Sequence, residues 1–169
     1  LRGEDPGAEL QFDLFDLGAH AEERFDPQSH FRLAKAGEYL AAFELMVRGI
    51  SVTVAAEGLP YDLLADHDGG IARVQVKTAS SPRDRGQYCF DLKCGSHKAN
   101  KRSTQYGPEN IDLFAVVALD IRRVAFVHVD EAAKRRCLKL RPIDFVAHDV
   151  TSATFARCWE RLRAFPRVP

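Results

Sequence analysis

Apolar positions recur along this chain with two periods, and each change of period marks an element. From Leu33 to Arg48 the spacing is helical. Leu33, Ala36, Leu40, Phe43 and Val47 predict one buried stripe, and Gly49 ends the helix. Ile50 to Ala56 alternates apolar and polar residues, the period of a strand. Two short apolar-rich runs, Tyr61 to Leu64 and Ile71 to Val76, flank a turn of Asp66-His67-Asp68-Gly69-Gly70, which predicts a β-hairpin. Gln87 to Lys93 alternates again. Ile111 to Leu119 is almost continuously apolar, as in a strand buried on both faces, and Asp112 within it needs partners there. Arg123 to Val129 predicts the last core strand, with His128 as a surface or internally satisfied histidine. Thr151 to Ala164 reads as an amphipathic helix with Phe155, Cys158, Trp159 and Leu162 on one side.

Helical and strand periods in this order predict an α/β fold. With 169 residues and an apolar share of 46%, the chain has enough material for one cored domain plus extensions. Three segments follow: an acidic N-terminal arm over 1–30, a core over 31–130, and a basic, partly helical C-terminal extension over 131–169. No apolar run approaches the ~20 residues that span a membrane. The first residues lack the charged, then apolar, then small-residue order of a signal peptide. A cytoplasmic protein with no membrane contact is the expectation. Cys89, Cys94, Cys137 and Cys158 form no CxxC pair. Cys89-x4-Cys94-x2-His97 lacks a complete tetrahedral ligand set, so four reduced thiols are expected rather than zinc.

Net charge is zero, but its distribution is uneven. Residues 1–30 carry eight carboxylates against Arg2 and Arg24, which leaves the remainder at +6. A basic body behind an acidic arm suits a nucleic-acid binder. From 78 to 106, Arg83, Arg85, Lys93, Lys98, Lys101 and Arg102 outnumber Asp84 and Asp91. Of these, Arg83, Arg85, Lys98, Lys101 and Arg102 are the candidate phosphate contacts; a merely solvated loop is the alternative.

The hairpin carries the chemistry. An antiparallel return brings Asp62 beside Gln75 and Lys77, which leave one face of their strand because they are two apart. An acid, an amide oxygen and an ammonium then converge on a spot fit for a hard divalent cation. On the first helix Glu38 shares a face with Ala41, Ala42 and Leu45, three, four and seven positions on.

The ordered set of Glu38, Asp62, Gln75-Val76-Lys77 and a later apolar strand resembles the PD-(D/E)xK nuclease superfamily. The Gln-x-Lys form is similar to its group I intron-associated endonucleases, in which an amide replaces the usual second acid. This resemblance covers roughly Gly37 to Val117. It implies a restriction-endonuclease-like mixed β-sheet core flanked by helices, of αβββαβ type with four to five strands, its middle helix short or replaced by the 95–110 loop. It further implies a Mg²⁺-dependent (Mn²⁺ also fitting) DNA endonuclease acting on duplex or branched DNA. Asp62, Gln75, the Val76 carbonyl and Glu38, directly or through water, would hold the metal. Lys77 would act on the attacking water. Asp112 is expected to support the site rather than bind metal. Branched substrates imply a homodimer.

Gln11-Phe12-Asp13-Leu14-Phe15 in the arm resembles the peptide by which bacterial replication and repair proteins dock on the sliding clamp. Gln11, Leu14 and Phe15 are its candidate contacts, and packing on its own domain is the alternative. Two other readings compete with the enzyme. One is a catalytically weak DNA-binding module recruited through that peptide. The other is a plain α/β domain in which Asp62 and Lys77 form a surface ion pair.

Overall fold

The computed structural model describes residues 27–67, 70–94, 104–132, 135–149, 151–153, 155–156 and 159–160. Helix α1 (Pro27–Met46) comes first, followed by β1 (Ser51–Val54), β2 (Leu63–His67) and β3 (Gly70–Ala79). After a 3-10 turn at Asp84–Gly86 come β4 (Tyr88–Asp91), β5 (Lys93–Cys94) and β6 (Thr104–Gln105). Then follow β7 (Leu113–Ala118), β8 (Arg123–His128), the single turn α2 (Val129–Ala132) and β9 (Cys137–Leu140). The main sheet has the order β1-β2-β3-β7-β8; only β3 and β7 run parallel. Between those two, the described residues hold the 3-10 turn and short strands, with no helix. The fold is a mixed α/β one, with a five-stranded mixed sheet flanked by helices.

Pleating sends alternate side chains of this sheet into two cores. Ala72, Val74 and Val76 of β3 and Leu113, Ala115 and Val117 of β7 pack with Ala41 and Leu45 of α1. Phe155 and Trp159 close the same layer, and Trp159 Nε1 donates to the His67 carbonyl at 3.3 Å. Phe114, Val116 and Ala118 turn the other way, against Tyr88, Phe90, Leu138, Leu140 and Phe145. Those residues belong to β4, β9 and the 3-10 segment at Pro142–His148, so C-terminal residues complete the second core. Each large side chain so buried contributes about 1.5–3 kcal/mol relative to exposure. Asp112, the acid at the head of β7, finds its partner in Arg73, which donates through N and Nε to Oδ2 (2.8 and 3.0 Å) and through a terminal nitrogen to Oδ1 (3.0 Å). The guanidinium also reaches the Glu109 and Pro108 carbonyls and so ties β3 to the entry of β7. His128 is buried, and its Nδ1 accepts the Asp130 N–H at 3.2 Å.

Two expectations need correction. The first helix does not bury its bulky stripe: Leu33, Ala36, Phe43 and Val47 are exposed, Phe43 by 54%, and only Leu40 is half-buried. Its buried positions are Gly37, Ala41, Ala42 and Leu45, the small-residue face next to Glu38. Small residues let the helix axis come close to the sheet, and that closeness outweighs burial of the larger side chains. The hairpin turn is also shorter than expected, because Asp66 and His67 stay in register with Ile71 and Gly70. Pairing of β4 with β9 also brings Cys89 and Cys137 together, with Cα atoms 6.5 Å apart.

Candidate active site

The site sits where the sheet comes apart. Pairing of β2 with β3 stops at Leu63 opposite Val74, yet β3 runs on to Ala79. Beyond Val74 that edge of β3 has lost its neighbouring strand, and its backbone groups need other partners. Asp62, one residue before β2, supplies them. Its N–H donates to the Val74 carbonyl at 2.9 Å, and its carboxylate accepts the Val76 N–H at 2.7 Å. The side chain thus continues a ladder that the backbone has left, and this fixes the carboxylate against β3.

Gln75 and Lys77 leave β3 on the face away from α1, while Glu38 comes in from α1. Glu38, Asp62, Gln75, Val76 and Lys77 together line one cleft of about 450 Å³. Gly37 permits the approach of α1, since a Cβ there would lie only 3.0 Å from Thr78 Cβ and Cγ2 and closer still to its hydroxyl. Arg83 lines the same cleft. Arg85 does not; it stands exposed in the 3-10 turn with φ of 58°. Lys98, Lys101 and Arg102, and the arm residues Gln11, Leu14 and Phe15, lie outside the described residues.

Burial holds the Asp62 carboxyl above its ordinary pKa. The Glu38 charge pushes the same way, while the Val76 N–H, Lys77 and Lys35 oppose it. The Gln75 Nε2 group donates to Asp62 and, at 3.1 Å, to the Val76 carbonyl. An NH₂ donor therefore stands between two oxygens that the sequence marked as cation ligands. Rotating the amide by half a turn would present Oε1 at that place instead. With Asp62, Val76 and Glu38 this makes an all-oxygen set, the chemistry that Mg²⁺ and Mn²⁺ accept and that zinc or copper sites rarely use. These residues fit such an ion. Among the described residues no group of three or more His, Cys, Asp or Glu side chains gathers for a metal, so any ion here relies on amide and carbonyl oxygens besides the two carboxylates.

One residue of this neighbourhood escapes sequence reasoning. Lys35 bonds Glu38 at 2.6 Å, and this bond raises the pKa of its ammonium. The i, i+3 spacing on a helix is a readable signal for it. Tyr106, which fits the resemblance as the Tyr a few residues before Asp112, lies under Lys77, whose Nζ is 5.0 Å from the ring centroid and donates to the Lys93 carbonyl at 3.3 Å.

In overall fold the chain is similar to the structure of a bacterial homing endonuclease, I-Ssp6803I. The TM-score is 0.61 at 19% identity, over 79% of this chain and 92% of that one. No curated protein matches it. A family model described as PD-(D/E)XK endonuclease covers residues 30–162, from the start of the cleft in α1 past Trp159, and this chain belongs to that family.

Proposed function

We propose that the protein is a divalent-metal-dependent endonuclease that hydrolyses phosphodiester bonds in duplex or branched DNA at the Asp62 cleft. One observation carries the reading: Glu38 of α1, Asp62 at the entry to β2, and Gln75 and Lys77 of β3 line one cleft at the free edge of β3. A bound Mg²⁺ or Mn²⁺ would supply Lewis-acid polarisation of the phosphoryl oxygen and a more acidic water. Asp62 would hold the ion directly, Glu38 directly or through water, and Gln75 Oε1 and the Val76 carbonyl would complete the protein side. Lys77 orients the attacking water and offsets negative charge as the phosphorane forms. The Tyr106 ring attracts the Lys77 ammonium through its π face, by about 0.5–1 kcal/mol. The named neighbour is a homing endonuclease, and cutting both strands of a duplex calls for two such sites. A homodimer supplies them.

The Gln75 amide supports a second reading. With one fewer negative charge than a two-acid site, and with its NH₂ already bonded to Asp62, the cleft is satisfied without an ion. A DNA-binding module of weak activity, recruited to replication or repair machinery through the clamp-like peptide at Gln11, Leu14 and Phe15, would have such a cleft.

The test uses labelled linear duplex, flap and four-way junction DNA with Mg²⁺, Mn²⁺ or EDTA, beside Lys77→Ala. Cleavage that needs metal and is lost in the variant supports the enzyme. Binding without cleavage in either metal sinks it in favour of the binding module. Neither binding nor cleavage points to the plain α/β domain.

A further inference from the structure

A second cleft of about 840 Å³ opens beside the first and shares Lys77, Arg83 and Cys89 with it. Its far wall is built by the β4–β9 ribbon, which contributes Arg136 and Cys137, and by Lys93 just beyond β4. Lys77, Arg83, Lys93 and Arg136 line it against one carboxylate, Asp91, whose Oδ1 accepts the Lys93 N–H at 3.1 Å. In a chain of zero net charge this is a marked local excess of cations. Arg136 is held in place rather than trailing from a tail. Its carbonyl accepts the Leu92 N–H at 3.1 Å, and the next residue, Cys137, opens β9 opposite Asp91. Leu138 and Leu140 of the same strand are buried in the second core.

We infer that this cleft is a second phosphate-binding subsite, in which Arg83, Lys93 and Arg136 grip the phosphodiester backbone next to the bond at the Asp62 cleft. The inference rests on the nuclease reading. Two clefts that share a wall, one with the hydrolytic groups and one lined by cations, make a continuous track for a polyanion. Arg136, which leads into β9, belongs to the C-terminal extension, so the extension takes part in substrate binding and not only in packing.

Fluorescence anisotropy with a short labelled DNA duplex, and the RNA duplex of the same sequence, tests this across a series of KCl concentrations with EDTA present to prevent cleavage. Lys93→Ala and Arg136→Ala should each weaken binding about 3- to 10-fold and flatten the plot of log K against log salt by about 0.9, the change for one lost phosphate contact. Arg136→Lys should keep the parent slope. Arg48→Ala, the same charge change at the far end of α1, should leave binding near the parent. If Arg136→Ala fails to fold by circular dichroism, Lys93→Ala carries the test. Tighter binding of the DNA or of the RNA duplex names the source of the phosphodiester, and the variants should weaken whichever is bound. Parent slopes in both alanine variants, or losses no greater than those of Arg48→Ala, would overturn the subsite. If the parent cleaves DNA while those variants bind as it does, only the subsite falls; if the parent binds neither duplex, nor a flap or four-way junction, the nuclease reading falls with it.

Discussion

Gly37 of α1 lies against Thr78 of β3 so closely that a methyl group at position 37 would collide with the threonine hydroxyl. The next residue is Glu38, and the contact therefore sets how far this carboxylate reaches into the cleft. Gly37→Ala should push α1 off the sheet, destabilise the fold by about 1–3 kcal/mol and lower cleavage at least ~10-fold through the displaced Glu38. Adding Thr78→Ala should recover part of both, as contacting pairs do. Urea unfolding and cleavage rates on the parent, Gly37→Ala, Thr78→Ala and the double variant check this. An alanine variant equal to the parent in both would show that the close approach is not needed.

Gln75 places an NH₂ between Asp62 and the Val76 carbonyl, the place proposed above for the cation. Gln75→Glu replaces that donor with a second carboxylate. Without metal the variant should lose about 1–3 kcal/mol, because Asp62 exchanges a hydrogen-bond donor for a like charge. With Mn²⁺ or Mg²⁺ the loss should be recovered, and calorimetry should find tighter metal binding than in the parent, by about 10-fold or 1.4 kcal/mol. A variant with unchanged metal-free stability and unchanged affinity would remove the amide from any role at the cleft.

Lys35 holds Glu38 in an exposed pair on α1. Such a pair contributes little to stability, about 0.2–0.5 kcal/mol, but it neutralises a carboxylate assigned to the metal. Lys35→Met should leave urea unfolding almost unchanged and should tighten Mn²⁺ binding, read by titration calorimetry, by about 2- to 5-fold. Weaker binding in this variant would mean that the ammonium orients Glu38 rather than competing for it.

The readable parts of this structure are those set by local period and short spacing. Asp62, Gln75 and Lys77 come from one hairpin, where a two-residue spacing on a strand determines which side chains share a face. Their meeting with Glu38 depended on the resemblance of the ordered set. The buried face of α1 was misread because hydrophobic size was allowed to choose it. Gly37, Ala41 and Ala42 win that face because the helix must lie close to β3, a constraint that acts between elements. The β4–β9 pairing was invisible for a similar reason. It brings Cys89 to Cys137 and Arg136 near Lys93, and neither partner carries a local mark of the other.

Tyr88 opens β4 with its ring buried in the second core, and its hydroxyl donates to both carboxylate oxygens of Asp120 at 2.8 Å. Burial first, then that hydrogen bond and the Asp120 charge, push its pKa up from 10.0 to about 12. The neutral phenol is therefore favoured in the fold. Above about pH 10 the unfolded chain gives up this proton before the folded one does, so the linked stability is full below pH 10 and drains away as pH rises towards about 12. Tyr88→Phe should lose about 0.5–1.5 kcal/mol at neutral pH and should lack this alkaline component. Lysines and other tyrosines titrate in the same range, so the informative quantity is the difference between the two proteins in urea unfolding at stepped pH. That difference should shrink from neutral pH through the alkaline window. If both proteins lose stability in parallel there, Tyr88 ionises alike in the folded and unfolded chains, and the bond to Asp120 does not hold its proton.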